Sequence, residues 1–172
     1  MLRESLAADL IVELPNAVRL QRLVQTLREY FNSGAVGLLR LDEDSLRPVA
    51  TVGLVHEALG RRFVIAQHPR LAAIMASREP TWFEPDSRLP DPYDGLLENH
   101  VGESLPVHDC MGVSLYVEGR IWGAITLDAL HAGTFDSQAR EELKRCTLQI
   151  EAAVRKVGET ALRLLDQDDA CA

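Results

Sequence analysis

Residues 107–130 read VHDCMGVSLYVEGRIWGAITLDAL. Three side chains in this stretch can bind a metal ion or move a proton: His108, Cys110 and Asp128. Around them the pattern is that of two β-strands about a short turn, rich in branched apolar residues. An imidazole, a thiolate and a carboxylate together suit a metal that takes mixed donors, iron(II) above all, with zinc and cobalt also able to bind. Structural zinc sites usually collect four Cys or His ligands, which this set is not. A Cys–His nucleophile pair is a second chemistry for the same residues. The sequence offers no oxyanion site to go with it.

Each of the three also has an ordinary reading. His108 could be a satisfied core or edge histidine, and Cys110 a small buried hydrophobe. Asp128 in an apolar strand is harder to explain away, because a buried carboxylate needs a partner. Register decides whether the three meet. In YVEGR, Gly119 occupies the position expected for a left-handed residue, so residues 117–119 are expected to form a three-residue loop. Tyr116 then pairs with Arg120, Cys110 with Thr126 and His108 with Asp128. Directly opposed residues hold their Cβ atoms roughly 4.5–5.5 Å apart. His108 and Cys110 share a face with Gly112, Ser114, Ala124 and Thr126, whose small side chains leave room for a pocket. Val107, Met111, Val113, Leu115, Ile121, Ile125 and Leu127 face the other way. A two-residue turn would instead set Asp128 against Asp109 and break the cluster.

The elements that must position this hairpin follow from periodicity. Residues 1–15 are a lead with weak helical character. NAVRLQRLVQTLREYF carries Leu20, Leu23, Val24, Leu27 and Phe31 on one helical stripe, with Asn16 as its expected cap and Gly34 as its stop. AVGLLRLDEDSLRPVATVGL reads as a hairpin turning at DEDS. HPRLAAIMASRE is a helix with Pro69 in its first turn and Leu71, Ile74 and Met75 inward. PTWF is a short strand. Residues 84–106 form a long loop with one helical turn expected near 93–97, and a loop this long in a compact domain usually has a function. Its LPDPYDGLL segment brackets Tyr93 with Asp91 and Asp94, as turn residues or as a further ligand delivered by a lid. A long final helix, capped by Asp136 or Ser137, has the stripe Ala139, Leu143, Cys146, Ile150, Ala153, Val157, Ala161 and Leu164. That stripe outruns one small sheet, so its far half is expected on a second chain or leading into a further domain. Arg61, Arg62 and Arg70 read as solvated, Trp82 and Trp122 as packing groups, Cys146 as structural and Cys171 as part of the tail. The fold class is α+β, with an antiparallel sheet and the terminal helices on one face.

Bulk properties narrow the function. The chain has 172 residues and a formal net charge of −8. A domain this acidic lacks the basic face that phosphate-backbone binding needs, so no direct nucleic-acid contact is expected. No stretch has the length and apolarity of a membrane span, and Glu4, Asp9 and Glu13 interrupt any leader-like run. The three cysteines have no disulfide-framework spacing, so a cytoplasmic protein is expected.

Taken in order, RLQRLVQTLREYF, GAVGLLRLD, GRRF, HPRLAAI, LPDPYDGL, VHDC, GAITLDAL and the FD…EEL helix start resemble the GAF sensory domain of the NorR-type, nitric-oxide-responsive, sigma-54-dependent transcriptional regulators. The resemblance runs from about Arg19 to Leu165. It implies a GAF core over residues 16–135, a long C-terminal helix over 136–166 leading to an ATPase domain, and a tail over 167–172. It implies a mononuclear non-haem iron(II) that binds nitric oxide, with Asp94, His108, Cys110 and Asp128 as ligands and Asp91 as a further candidate. Arg70 and Tyr93 match residues at that pocket. It also implies a regulatory, non-enzymatic domain that holds the ATPase domain of the same protein in check, and a homodimer through the terminal helices. Two features depart from the family pattern. Asp109 stands where a small residue is expected, and LENHVGES lengthens the loop and offers His100 as a competing ligand. The rival readings are a GAF module for an organic ligand or nucleotide without metal, and a redox sensor built on Cys110.

Overall fold

The structure, a computed structural model, describes residues 1–103 and 109–170, the side chains of 162–170 excepted. Val107 and His108 of the predicted hairpin, the Leu164 side chain and Cys171 lie outside the described residues. The chain runs α1 (Leu2–Ile11), α2 (Asn16–Phe31), β1 (Ala35–Asp42), β2 (Ser45–Val52), β3 (Phe63–Val64), α3 (Pro69–Met75), β4 (Thr81–Phe83), β5 (Cys110–Val117), β6 (Arg120–Asp128) and α4 (Ser137–Ala170). The strands form one antiparallel sheet in the order β3-β2-β1-β6-β5-β4.

Alternation along the strands gives the sheet two buried faces. Val36, Leu38, Met111, Val113, Leu115, Ile125 and Leu127 face α1, α2 and α4, as expected. Ala35, Leu39, Cys110 and Ala124 face the other way, toward α3 and the long loop. On the helix side, Leu143, Cys146, Ile150, Ala153 and Val154 of α4 are buried, and Ala139 and Val157 partly so. Burial pushes the Cys146 thiol up to about 12, which agrees with a structural role. Ala161 is exposed, so the stripe leaves the domain beyond Val157.

Three local expectations are corrected. Asn16 does not cap α2: Pro15 precedes the first turn and no side chain caps it, while the Asn16 amide donates to the Val157 carbonyl at 3.4 Å. Asn32, left-handed at φ 49°, stops α2 before Gly34 is reached, and its N–H returns to the last carbonyls of the helix. The lead is a full helix, with Leu2 and Leu6 in the core. Buried Arg19 holds it by donating to the carbonyls of Asp9 and Val12.

The β5–β6 hairpin departs from the expected register in an informative way. Its loop has two residues, Glu118 at φ 51° and Gly119 at φ 76°, with Val117 opposite Arg120. Two left-handed residues in a row are the tight hairpin turn that matches strand twist, and glycine takes the second at no steric cost. Such a turn alone would set Asp109 against Asp128. A bulge prevents it: Tyr116 pairs with Ile121, but Leu115 pairs with Gly123, leaving Trp122 extra. Cys110 therefore pairs with Asp128, and Gly112 with Thr126. Beyond the bulge the register is two residues from the expected one, so Cys110, Asp128 and the residues between them and the bulge keep their expected faces. Ile121, before the bulge, pairs with Tyr116 and leaves the helix-side face expected for it, which Trp122 takes.

Gly123 permits this arrangement. A Cβ there would lie 2.0 Å from the Leu39 carbonyl oxygen of β1. Gly123→Val is expected to lower unfolding stability by about 3 kcal/mol, measured by urea denaturation, because the obstacle is backbone that cannot give way.

Candidate metal centre

Residues 84–103 cross the face of the sheet opposite the terminal helices and supply one side of the site. The helical turn expected near 93–97 is a tight turn instead. Leu96 N–H donates to Tyr93 O at 2.9 Å, Gly95 is left-handed at φ 78°, and Leu97 bridges to Leu54. That bridge draws the segment onto the chain leaving β2, which a helical turn would not allow.

Each oxygen of the Asp91 carboxylate has its own partner. Its Oδ1 accepts the Tyr93 N–H at 2.8 Å, closing a local turn. Its Oδ2 lies 3.2 Å from Nη1 of Arg70. Arg70 in turn donates from Nε to the Leu89 carbonyl at 2.8 Å and lies 5.3 Å from the Phe83 ring centroid. Arg70 was expected in solvent but is only 4% exposed, because Pro69 starts α3 with this residue facing inward. Its planar fork can serve a carboxylate and a carbonyl at once.

Opposite the loop, the sheet contributes Cys110 from β5 and Asp128 from β6, a directly paired couple. Ligand atoms of Asp91, Cys110 and Asp128 all lie within 4.8 Å of one another, and all three residues are buried. Both oxygens of Asp128 are buried without a hydrogen-bond partner among the described residues. Burial, then the Asp91 charge, pushes the Asp128 carboxyl well above the usual carboxylate range. Burial, then the charges of Asp128 and Asp91, raises the Cys110 thiol. Among the described residues Arg70 is the cation acting on both, and it opposes these shifts. One guanidinium cannot keep three acids ionised in a dry site. A divalent cation at their centre would satisfy the Asp128 oxygens and favour all three anions, so the donor set fits a metal.

Tyr93 closes the site. Its ring packs edge-on against Phe63 with centroids 5.6 Å apart, and its hydroxyl lies 2.7 Å from Thr126 Oγ1. Thr126 donates its own proton to the Gly37 carbonyl at 3.3 Å, so Tyr93 is the donor of the shorter bond. A Cβ on Gly37 would come within 2.7 Å of the Tyr93 hydroxyl. The small residues of this face do make room, as expected, and Tyr93 and Ile74 use it, with Ile74 lying over Gly112.

Of the predicted ligands, Asp91, Cys110 and Asp128 converge, and His108 lies outside the described residues. Asp94 is exposed and stands outside the converging group, because the turn that buries Asp91 and Tyr93 points the next side chain outward. His100 pairs with Glu103 at 3.1 Å and is also outside it. Asp109 faces the helix side as expected and does not join the group; its Oδ2 accepts the Phe135 N–H at 3.0 Å. Sequence reasoning placed Thr126 on the site's face but missed Gly37 and Phe83 as parts of the site. A glycine inside a strand, as at Gly37, was the one available hint of a close approach.

Comparison with known proteins agrees with this geometry. The sequence matches the GAF domain family over residues 17–154. It is 65% identical over 150 residues to the nitric oxide reductase transcription regulator NorR2 of Cupriavidus necator, covering 87% of this chain and 29% of that protein. It is 43% identical over 136 residues to the anaerobic nitric oxide reductase transcription regulator NorR of Vibrio vulnificus, covering 79% of this chain and 26% of that one. The chain thus spans less than a third of the length of these relatives. Among solved structures, the GAF domain of a phosphoenolpyruvate-protein phosphotransferase from Coxiella burnetii superposes with a TM-score of 0.72 at 17% identity, covering 95% of each chain. The free methionine-R-sulfoxide reductase of Neisseria meningitidis superposes with a TM-score of 0.71 at 18% identity, covering 92% of this chain and 89% of that one. At such identities these two speak for the fold alone. With a six-stranded antiparallel sheet, helices packed on it and a family match covering most of its length, the chain belongs to the GAF domain family.

Proposed function

We propose that the chain is the nitric oxide sensor domain of a cytoplasmic bacterial transcriptional regulator, built to hold one non-haem iron(II). The proposed ligands are Asp91, Cys110 and Asp128, with His108, two residues before Cys110 in sequence, as the fourth donor. The observation that carries the reading is the Asp128 carboxylate, buried beside a second carboxylate and a thiol, with neither oxygen partnered among the described residues. The loop ligand is assigned to buried Asp91 rather than exposed Asp94. Similarity to regulators named for nitric oxide reductase supplies the signal.

Nitric oxide is small and neutral, so shape alone would recognise it weakly. A ferrous ion supplies a direct bond, and thiolate and carboxylate donors make it electron-rich. The chain's own residues do the rest. Arg70 orients Asp91, Tyr93 and Phe83 exclude water, and Cys110 and Asp128 are fixed by strand pairing. No helix of the described residues is long and apolar enough to cross a membrane. In this reading the domain catalyses nothing. It restrains a sigma-54-activating ATPase domain of the same protein until nitric oxide arrives, and pairs with a second copy through its terminal helices. A thiol redox sensor is less well supported, because reaction needs a thiolate and burial here favours the thiol.

Electron paramagnetic resonance of the iron(II)-loaded chain exposed anaerobically to nitric oxide tests the proposal. A half-integer-spin signal in stoichiometric yield is expected; failure to retain iron would refute it.

Asp128→Asn separates stability from binding. A carboxyl whose pKa the fold raises above its ordinary unfolded value of about 3.9 costs stability as pH rises through that value. Without metal, Asp128→Asn should therefore melt higher than the parent at pH 7, and the advantage should vanish near about pH 3. The same variant should bind iron(II) more than about tenfold weaker by anaerobic titration.

A further inference from the structure

We propose that the segment from Arg70 to Phe83 is a lever that couples the metal centre to α4, through Arg140 and Lys144. The proposal rests on the sensor reading for what moves the lever, and on the following contacts for its existence.

One end of the segment is in the site. Arg70 grips Asp91 and the Leu89 carbonyl, and its guanidinium lies against Phe83, the last residue of β4. α3 and β4 are thus tied to each other and to the ligand-bearing loop by one side chain. Between them, Ile74 seats α3 on the sheet at Gly112, where a Cβ would meet its Cδ1 at 2.5 Å. A backbone shift at Arg70 is carried by α3, a helix of seven residues seated on the sheet.

The other end grips the first turns of α4. Arg140 Nε donates to the Pro80 carbonyl at 2.9 Å, and Lys144 Nζ lies 2.7 Å from Glu79 Oε2. The connector is also set on β5: Ser114 Oγ donates to the Ser77 carbonyl at 2.5 Å, and the Arg78 guanidinium lies 4.0 Å from the Tyr116 ring centroid. β4 has three residues, stands at the sheet edge and pairs only with β5. An edge strand, paired on one side, opens more readily than a strand paired on both. Exposed ion pairs of this kind add little stability. Their effect is positional, because they fix the start of α4 to the segment that Arg70 terminates.

A coupling cycle tests this without any metal. Hydrogen exchange of the amides of residues 137–146 is measured in the chelator-stripped chain, in Arg70→Lys, in Arg140→Ala/Lys144→Ala, and in the combined variant. Arg70→Lys keeps the charge and loses the fork, so the fold is retained. It should change exchange in 137–146 by about threefold or more in the parent background. It should have no effect there once Arg140 and Lys144 are truncated. Equal effects in both backgrounds would overturn the lever and favour the alternative contact between Asp109 and Phe135. A second arm uses the iron(II)-loaded chain with nitric oxide. Parent and Arg140→Ala/Lys144→Ala should give the same spin signal, and only the parent should show altered exchange in 137–146. An altered exchange in both would again overturn the proposal. A missing signal in the parent would sink the sensor reading, while the metal-free cycle still decides the lever.

Discussion

Among the described residues, three acids are buried together with one guanidinium, and this constraint organises the site. Asp91, Cys110 and Asp128 come from a loop and two strands, and each is buried. Proteins pair buried charges or neutralise them. Here the pairing is partial: Arg70 serves Asp91, while among the described residues neither Asp128 oxygen has a hydrogen-bond donor. The fold therefore holds these groups in an arrangement that is unfavourable until a cation arrives. What sets the site apart from the helix-side core, where Asp109 also has one unpartnered oxygen, is that the unpartnered carboxylate lies beside a second carboxylate and a thiol.

Holding them there falls to backbone geometry. A two-residue turn alone would have thrown Cys110 and Asp128 onto opposite faces, and the extra Trp122 restores the match. Gly123 lets β6 approach β1 at the bulge, and Gly37 lets Tyr93 lie on the sheet. On the opposite face, Asp109 ties the start of β5 to the approach of α4 through the Phe135 N–H, and its carbonyl accepts from Ala129. The sheet thus serves two tasks at once, with apolar residues turned to the terminal helices and donor atoms turned to the loop.

Much of this was legible in the sequence. Period-2 alternation placed Cys110 and Asp128 on one face and Met111, Val113 and Leu115 on the other, and period-3.6 stripes placed α2 and α4. The correct faces came from a wrong turn length, because two one-residue errors cancelled in parity. The missing piece was the bulge, which has no local sequence signature apart from a glycine. That Asp91 is buried and Asp94 exposed was beyond pattern reading, since both flank Tyr93 in turn-forming sequence. Their orientation follows from tertiary contacts, the Arg70–Asp91 pair and the bonds of residues 96–98 to the chain leaving β2. Arg70 looked like a solvated residue because nothing local marks a helix whose first turn faces a carboxylate 21 residues away.

X-ray absorption at the iron edge of the iron(II)-loaded chain tests the central claim most directly. This account predicts one sulfur donor among oxygen and nitrogen donors, with the sulfur contribution lost in Cys110→Ser. A parent spectrum without sulfur, or one unchanged by that substitution, would contradict it.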